Sequence, residues 1–484
     1  MKISKLFKLG KTQAELDFVD IDPGKDTPLF LDPHLLGIKR DAFSAKAHEA
    51  VNDFFSLLIT LIRDGRMGDA RALFANLHEP NETCLGVSRG APKGRGVGAA
   101  QAEQIFQSIA KSRAVKTGVV EHLEDCRIFV PFVGRDKVSD MTTNIIRDSL
   151  VKYTQDQCRL HGISLRGGTP TGYFWNRATH SWENRHDEML VVKQRTILLV
   201  PKGCVSYSKN FGLSKYHQHF VLDFLKAEQM RTNGPFVRRR QLKDGSEKTW
   251  VAKKDLARSF APPTKDYSVD FTLKHASVFS DFKSWANKNA RSLSNEEIRS
   301  EEDVSEIAKF LSEKLTAVPV GGDSATAYHR LMAGIAELIF YPNLICPQVE
   351  REINDGRKRI DIVFDNAADS GFFHHVHATR NIPAQYIMME CKNYGREIGN
   401  PEVDQLSGRF SANKGKVGLL LCRSVSNFRL LIKRCQDVYR DKQELIIPMQ
   451  DEDFHKILSA RAKDPADRVE DALLRDRVRE IVLS

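Results

Sequence analysis

Asp361, Glu390 and Lys392 are the residues of this chain whose types and spacing best suit hydrolytic chemistry. Asp361 sits in Arg359-Ile360-Asp361-Ile362-Val363-Phe364, where it alternates with apolar neighbours as a strand residue would. Glu390 and Lys392 are two apart in the strand-like Tyr386-Ile387-Met388-Met389-Glu390-Cys391-Lys392-Asn393-Tyr394 and so project from one face. Asp361 is expected to face them from the neighbouring strand. Two acids and a lysine buried at strand centres are costly unless they neutralise one another or hold a cation. Asp361, Glu390 and the carbonyl of Cys391 are candidate ligands for Mg²⁺ (or Mn²⁺), with water completing the octahedron. Lys392 would then orient a metal-bound water or meet the charge that develops on a phosphate. The bland alternative is a structural ion pair on a sheet.

These groups need a scaffold, and the surrounding pattern supplies one. Tyr328, Leu331, Met332, Ile335 and Ile339 form the apolar stripe of a helix over 323–340, which Pro342 ends, with Glu337 off its middle. An apolar strand (344–349) and a charged turn at Asn354-Asp355-Gly356 come before the Asp361 strand. After the Glu390 strand, Asn400-Pro401 starts a helix with Val403, Leu406 and Phe410 on one face and Gln405 and Arg409 on another. Lys416 to Cys422 reads as a buried strand.

Asp361, then Glu390-Cys391-Lys392, with Glu337 on the preceding helix, resembles the PD-(D/E)XK nuclease superfamily in its restriction-endonuclease-like branch, over roughly 323–450. The resemblance implies metal-binding acids at Asp361 and Glu390, a catalytic lysine at Lys392, a helical acid at Glu337, and a glutamine, Gln405, beside them. Ile360 stands where the motif's proline would be, and the gap from Asp361 to Glu390 is wide, with an excursion through Gly371-Phe372-Phe373-His374-His375. The implied fold class is α/β and multidomain: a mainly helical N-terminal part, a mixed α+β middle part, and a C-terminal restriction-endonuclease-like core of a mixed sheet flanked by helices.

Composition and breaks suggest domains at 1–160 (mainly helical), 161–265 (strand-rich), 266–322 (helical connector), 323–460 (nuclease) and 461–484 (a charged helix). Residues 231–258 hold nine lysines and arginines against three acids, among them Arg238, Arg239 and Arg240, on what reads as a hairpin turning at Asp244-Gly245. Such a ribbon can track nucleic-acid phosphates or simply be a solvated face. The glycine-rich 86–98 stretch lacks the Gly-Lys-Ser/Thr of a nucleotide-binding loop and reads as surface. His374-His375-Val376-His377 and His217-Gln218-His219 lack further ligands at zinc spacing and read as a loop or hairpin tip and as ordinary histidines.

The chain has 484 residues, net charge +10 and eight cysteines without a CxxC pair, which argues against a disulfide framework or structural zinc. No run approaches the ~18 apolar residues of a membrane span, and the start has no long apolar stretch, so a cytoplasmic location is expected. The combined expectation is a metal-dependent endonuclease acting on DNA ahead of RNA, in bacterial defence against phage or plasmid DNA. It would work as a homo-oligomer or with a co-encoded defence partner. The alternatives are a repair or recombination nuclease, a catalytically silent nucleic-acid-binding module, and an RNase toxin.

Overall fold

The computed structural model describes residues 1–86, 96–207, 210–242, 246–295, 297–298, 304–353, 358–395, 397–464 and 466–483, with the side chains of 96–99, 350–353 and 358–360 left aside. The Asn354-Asp355-Gly356 and Asp244-Gly245 turns and most of the glycine-rich stretch thus lie outside the described residues. The fold mixes helices and sheets around two apolar cores.

The first core draws on residues from Ile3 to Ile298, joined by Tyr341, Ile345, Cys346 and Ala367. The sequence divisions at 160 and 265 fall inside it. Aromatic packing shows why: Trp175 and Trp182, on a short hairpin, meet Phe54 of the helix Ala42–Arg63 with ring centroids 5.1 and 5.5 Å apart. The helices Lys265–Lys274 and Ala276–Asn289 contribute Val269, Phe271, Phe279 and Phe282 to the same core.

The second core runs from Val304 to Ile481, with Ala14 and Leu160 added from the first unit. Its centre is a five-stranded sheet of β1 (Leu344–Ile353), β2 (Lys358–Asn366), β3 (Tyr386–Lys392), β4 (Val417–Cys422) and β5 (Leu445–Gln450), in that spatial order. The pairs β1/β2 and β2/β3 are antiparallel, and β3/β4 and β4/β5 are parallel. Each parallel step needs a crossover, provided by the helices α3 (Asn400–Ser407) and α4 (Phe428–Lys442). Every residue of β4 is buried, as expected of a parallel strand covered on both sides.

Helix α1 (Val304–Ala317) and helix α2 (Ala325–Phe340) lie before the sheet in sequence, and α5 (Asp451–Lys463) and α6 (Val469–Val482) lie after it. The α2 stripe is as the periodicity implied: Tyr328, Met332, Ile335 and Ile339 are at most 1% exposed, each burial contributing about 1.5–3 kcal/mol. Leu474, Val478 and Ile481 seat α6 in the same core, so the closing charged helix is packed and not a free tail. The excursion between β2 and β3 is a helical turn, Gly371–His374 followed by a wide turn over His375–Thr379, and not a hairpin tip. Phe372, Phe373 and Val376, at helical spacing, are buried there and explain it. No helix among the described residues is long and apolar enough to cross a membrane.

Candidate active site

The paired register of β2 and β3 runs from Asp365 opposite Tyr386 to Ile362 opposite Met389. The next residues on the two strands are Asp361 and Glu390. Here the Asp361 carboxylate takes over a ladder bond: its Oδ2 accepts the backbone N–H of Cys391 at 2.8 Å. Beyond this point the strands are joined through a side chain, which puts the acid at the mouth of the fork.

Glu390 is 1% exposed. A carboxylate so buried needs opposite charge, and two cations supply it. Lys392 Nζ donates to Glu390 Oε1 at 2.8 Å, and the Arg409 guanidinium forms an ion pair with Oε2. Lys392 also donates to Gln405 Oε1 at 2.8 Å. Gln405 is on α3, whose start is set by Pro401 and by Glu402 accepting the Gly399 N–H at 2.9 Å. Arg409 follows α3 directly, in a turn where its N–H bonds to Leu406 O at 3.0 Å. Burial lowers the Lys392 ammonium below the ordinary lysine range, with Asp361 the strongest pull in the other direction. Asp361, Glu390, Lys392, Gln405 and Arg409 therefore meet at one place.

Glu337 does not join them. It is 2% exposed and has Lys202 Nζ 3.8 Å away, a lysine that is itself fully buried and bonded to Asn295 Oδ1 at 3.2 Å. Burial, then repulsion from Asp17, raises the Glu337 carboxyl well above the usual carboxylate range. The expectation that this acid completes the site is corrected on physical grounds: the charged groups that act on Glu337 are Asp17, Lys202 and Lys11, all from the first 300 residues, and not those at the fork.

The residue that α2 does bring to the fork is His329, eight positions earlier and about 12 Å along the helix. Its Nε2 is 4.0 Å from Asp361 Oδ2. Its neighbour Tyr328 anchors the helix start by donating to Asp451 Oδ1 at 3.0 Å, and Arg423 pairs with the same carboxylate at 3.0 Å. Cys391 alternates with Glu390 and Lys392 and so turns to the other side of β3. Burial and the nearby Asp361 hold its thiol well above the ordinary cysteine range. The sequence signal for His329 was its place beside Tyr328 on the edge of the apolar stripe.

A family model described as Domain of unknown function (DUF8370) matches residues 8–211. No curated protein and no solved structure matches the chain. The matched stretch ends before β2 and β3 begin, so their fork falls outside it.

Arg238, Arg239 and Arg240 lie exposed on the strand Val237–Gln241, paired antiparallel with Glu247–Val251. Arg238 pairs with Asp255, and Arg239 donates to Asn233 Oδ1 at 2.6 Å. His217 is buried with Nε2 2.8 Å from the Ala261 carbonyl, an ordinary core histidine. His377 Nδ1 accepts the Ala384 N–H at 3.2 Å.

Proposed function

We propose that the chain is a metal-dependent endonuclease of the restriction-endonuclease-like PD-(D/E)XK type, with DNA as its substrate class. The observation that carries this reading is the convergence of Asp361 with Glu390 and Lys392 where β2 and β3 separate. Two carboxylates offer the hard oxygen donors that Mg²⁺ or Mn²⁺ requires, and the carbonyl of Cys391, between Glu390 and Lys392 in the chain, is the third candidate donor. When bound, such an ion supplies Lewis acidity and a more acidic water.

The chain's own groups have definite tasks in this reading. Lys392, partly desolvated, holds a positive charge beside the acids, where it can orient the attacking water and stabilise charge developing on phosphorus-bound oxygen. Gln405 fixes the direction of that ammonium. Arg409 balances Glu390 until a cation takes over, and its guanidinium is then suited to a phosphate oxygen. The hairpin arginines provide a sequence-independent contact to the backbone of DNA. A role in defence against phage or plasmid DNA rests on the family resemblance alone.

A second reading is favoured by one specific observation. Because Lys392 and Arg409 already neutralise Glu390, the same residues could form a silent nucleic-acid-binding scaffold held by ion pairs. Incubating the full chain with supercoiled plasmid and with RNA, in Mg²⁺ or in EDTA, separates the two. The endonuclease reading predicts nicking or linearisation of plasmid that EDTA stops; binding without cutting would favour the scaffold, and cutting of RNA alone would make the protein a ribonuclease.

A further inference from the structure

The fork holds a second set of donors that the hydrolytic reading does not use. Among the described residues, ligand atoms of His329, Asp361 and Cys391 all lie within 4.8 Å of one another. His329 Nε2 and Asp361 Oδ2, at 4.0 Å, are too far apart for a hydrogen bond and face each other across a gap. Ligands on a tetrahedral ion with bonds of about 2.0–2.3 Å sit roughly 3.5 Å apart, so side-chain shifts of about 1 Å would close the set. The side chains of His329 and Asp361 are 20% and 19% exposed, which leaves a route from solvent, while Cys391 is 4% exposed and forms the floor.

We propose that His329, Asp361 and Cys391 form a binding site for a borderline divalent ion of the Zn²⁺ class, with water in the fourth position. One nitrogen, one carboxylate oxygen and one sulfur make a donor set that prefers Zn²⁺ or Co²⁺ to Mg²⁺ and Mn²⁺. As the metal–sulfur bond forms, the Cys391 thiol gives its proton to solvent, so the charge and proton balance closes without any oxidant. Asp361 is common to this set and to the pair with Glu390. An ion held by His329 and Cys391 would therefore draw Asp361 away from Mg²⁺ and inhibit cleavage. That competition rests on the endonuclease reading; the binding itself does not.

Co²⁺ titration of the full-length protein tests the site directly, because a cobalt–thiolate bond has a near-ultraviolet charge-transfer band. The expected result is a one-equivalent band that excess Mg²⁺ does not remove, that is lost in Cys391→Ser, and whose titration midpoint in His329→Gln is weakened by about ten-fold or more. Absence of the band from the wild type, or its persistence in Cys391→Ser with an unchanged circular-dichroism spectrum, would overturn the site. If Cys391→Ser does not fold, the His329→Gln midpoint decides, and an unchanged value overturns the proposal. Plasmid cleavage is read separately: a wild type that cuts no DNA sinks the hydrolytic reading while the cobalt spectrum still decides the metal site.

Discussion

Asp361 accepts the Cys391 backbone N–H at 2.8 Å across the point where β2 and β3 cease to pair. One carboxylate thus both ends the ladder and stands next to the Glu390 and Lys392 strand face. The bond fixes the acid's place through Oδ2, which also has His329 Nε2 at 4.0 Å, and the carboxylate's charge acts on Lys392. Glu390 is held in the opposite way, by two cations, of which Arg409 is the one that a metal would replace.

The Arg409 pair makes that exchange measurable. In Arg409→Gln the buried Glu390 loses one of two neutralising groups, at an expected cost of about 1–3 kcal/mol. Mg²⁺ should then raise the melting temperature more in the variant than in the wild type, since the competing cation is gone. An equal shift in both proteins would show that Arg409 and the ion do not compete for Glu390.

The strand face of the site was legible in the sequence, and its helix contribution was not. Alternation fixes where Glu390 and Lys392 point, because the side-chain period of a strand is two. Pro401 marks the start of α3, which presents Gln405 to Lys392. A helical stripe says only which residues are buried; the buried apolar residues of α2 all belong to the second core, and the stripe does not tell which partners its polar residues meet. Near its end Glu337 meets Lys202 and near its beginning His329 meets Asp361, so the acid expected at the fork is paired elsewhere and a histidine that the pattern did not single out stands there. The divisions at 160 and 265 depended on composition, which carries no information about Trp175 and Trp182 packing on Phe54.

Glu337 tests this reassignment. Its carboxyl is raised by burial and by Asp17 and so favours the neutral form, which glutamine imitates. Glu337→Gln should keep both fold and cation-dependent cleavage, as read by circular dichroism and a plasmid assay. Loss of cleavage in a well-folded variant would return Glu337 to the chemistry.

The exposed hairpin gives an electrostatic prediction. Replacing Arg238, Arg239 and Arg240 by glutamine should weaken DNA binding and reduce the steepness of its salt dependence, by up to about three phosphate contacts. Fluorescence anisotropy across a salt series measures the slope. An identical slope would leave the ribbon as a solvated face.

Stability should also respond to pH through Asp140, whose carboxyl is pushed up to about 8 by burial and by Asp136, against the pull of Lys137. Between its unfolded value near ~4 and about 8 the folded chain holds the extra proton, so this group makes stability fall as pH rises through that window. Asp140→Asn should flatten the decline in melting temperature from pH 5 to 8 and make the variant the more stable protein at pH 8. A variant that follows the wild-type curve would show that Asp140 ionises without cost.

Lys392 and the two acids beside it carry the proposed cleavage. Nicking rates of supercoiled plasmid in Mg²⁺ or Mn²⁺ should fall by at least about 100-fold in Lys392→Ala and in Asp361→Asn, with DNA binding retained. Cutting by either folded variant at the wild-type rate would contradict it.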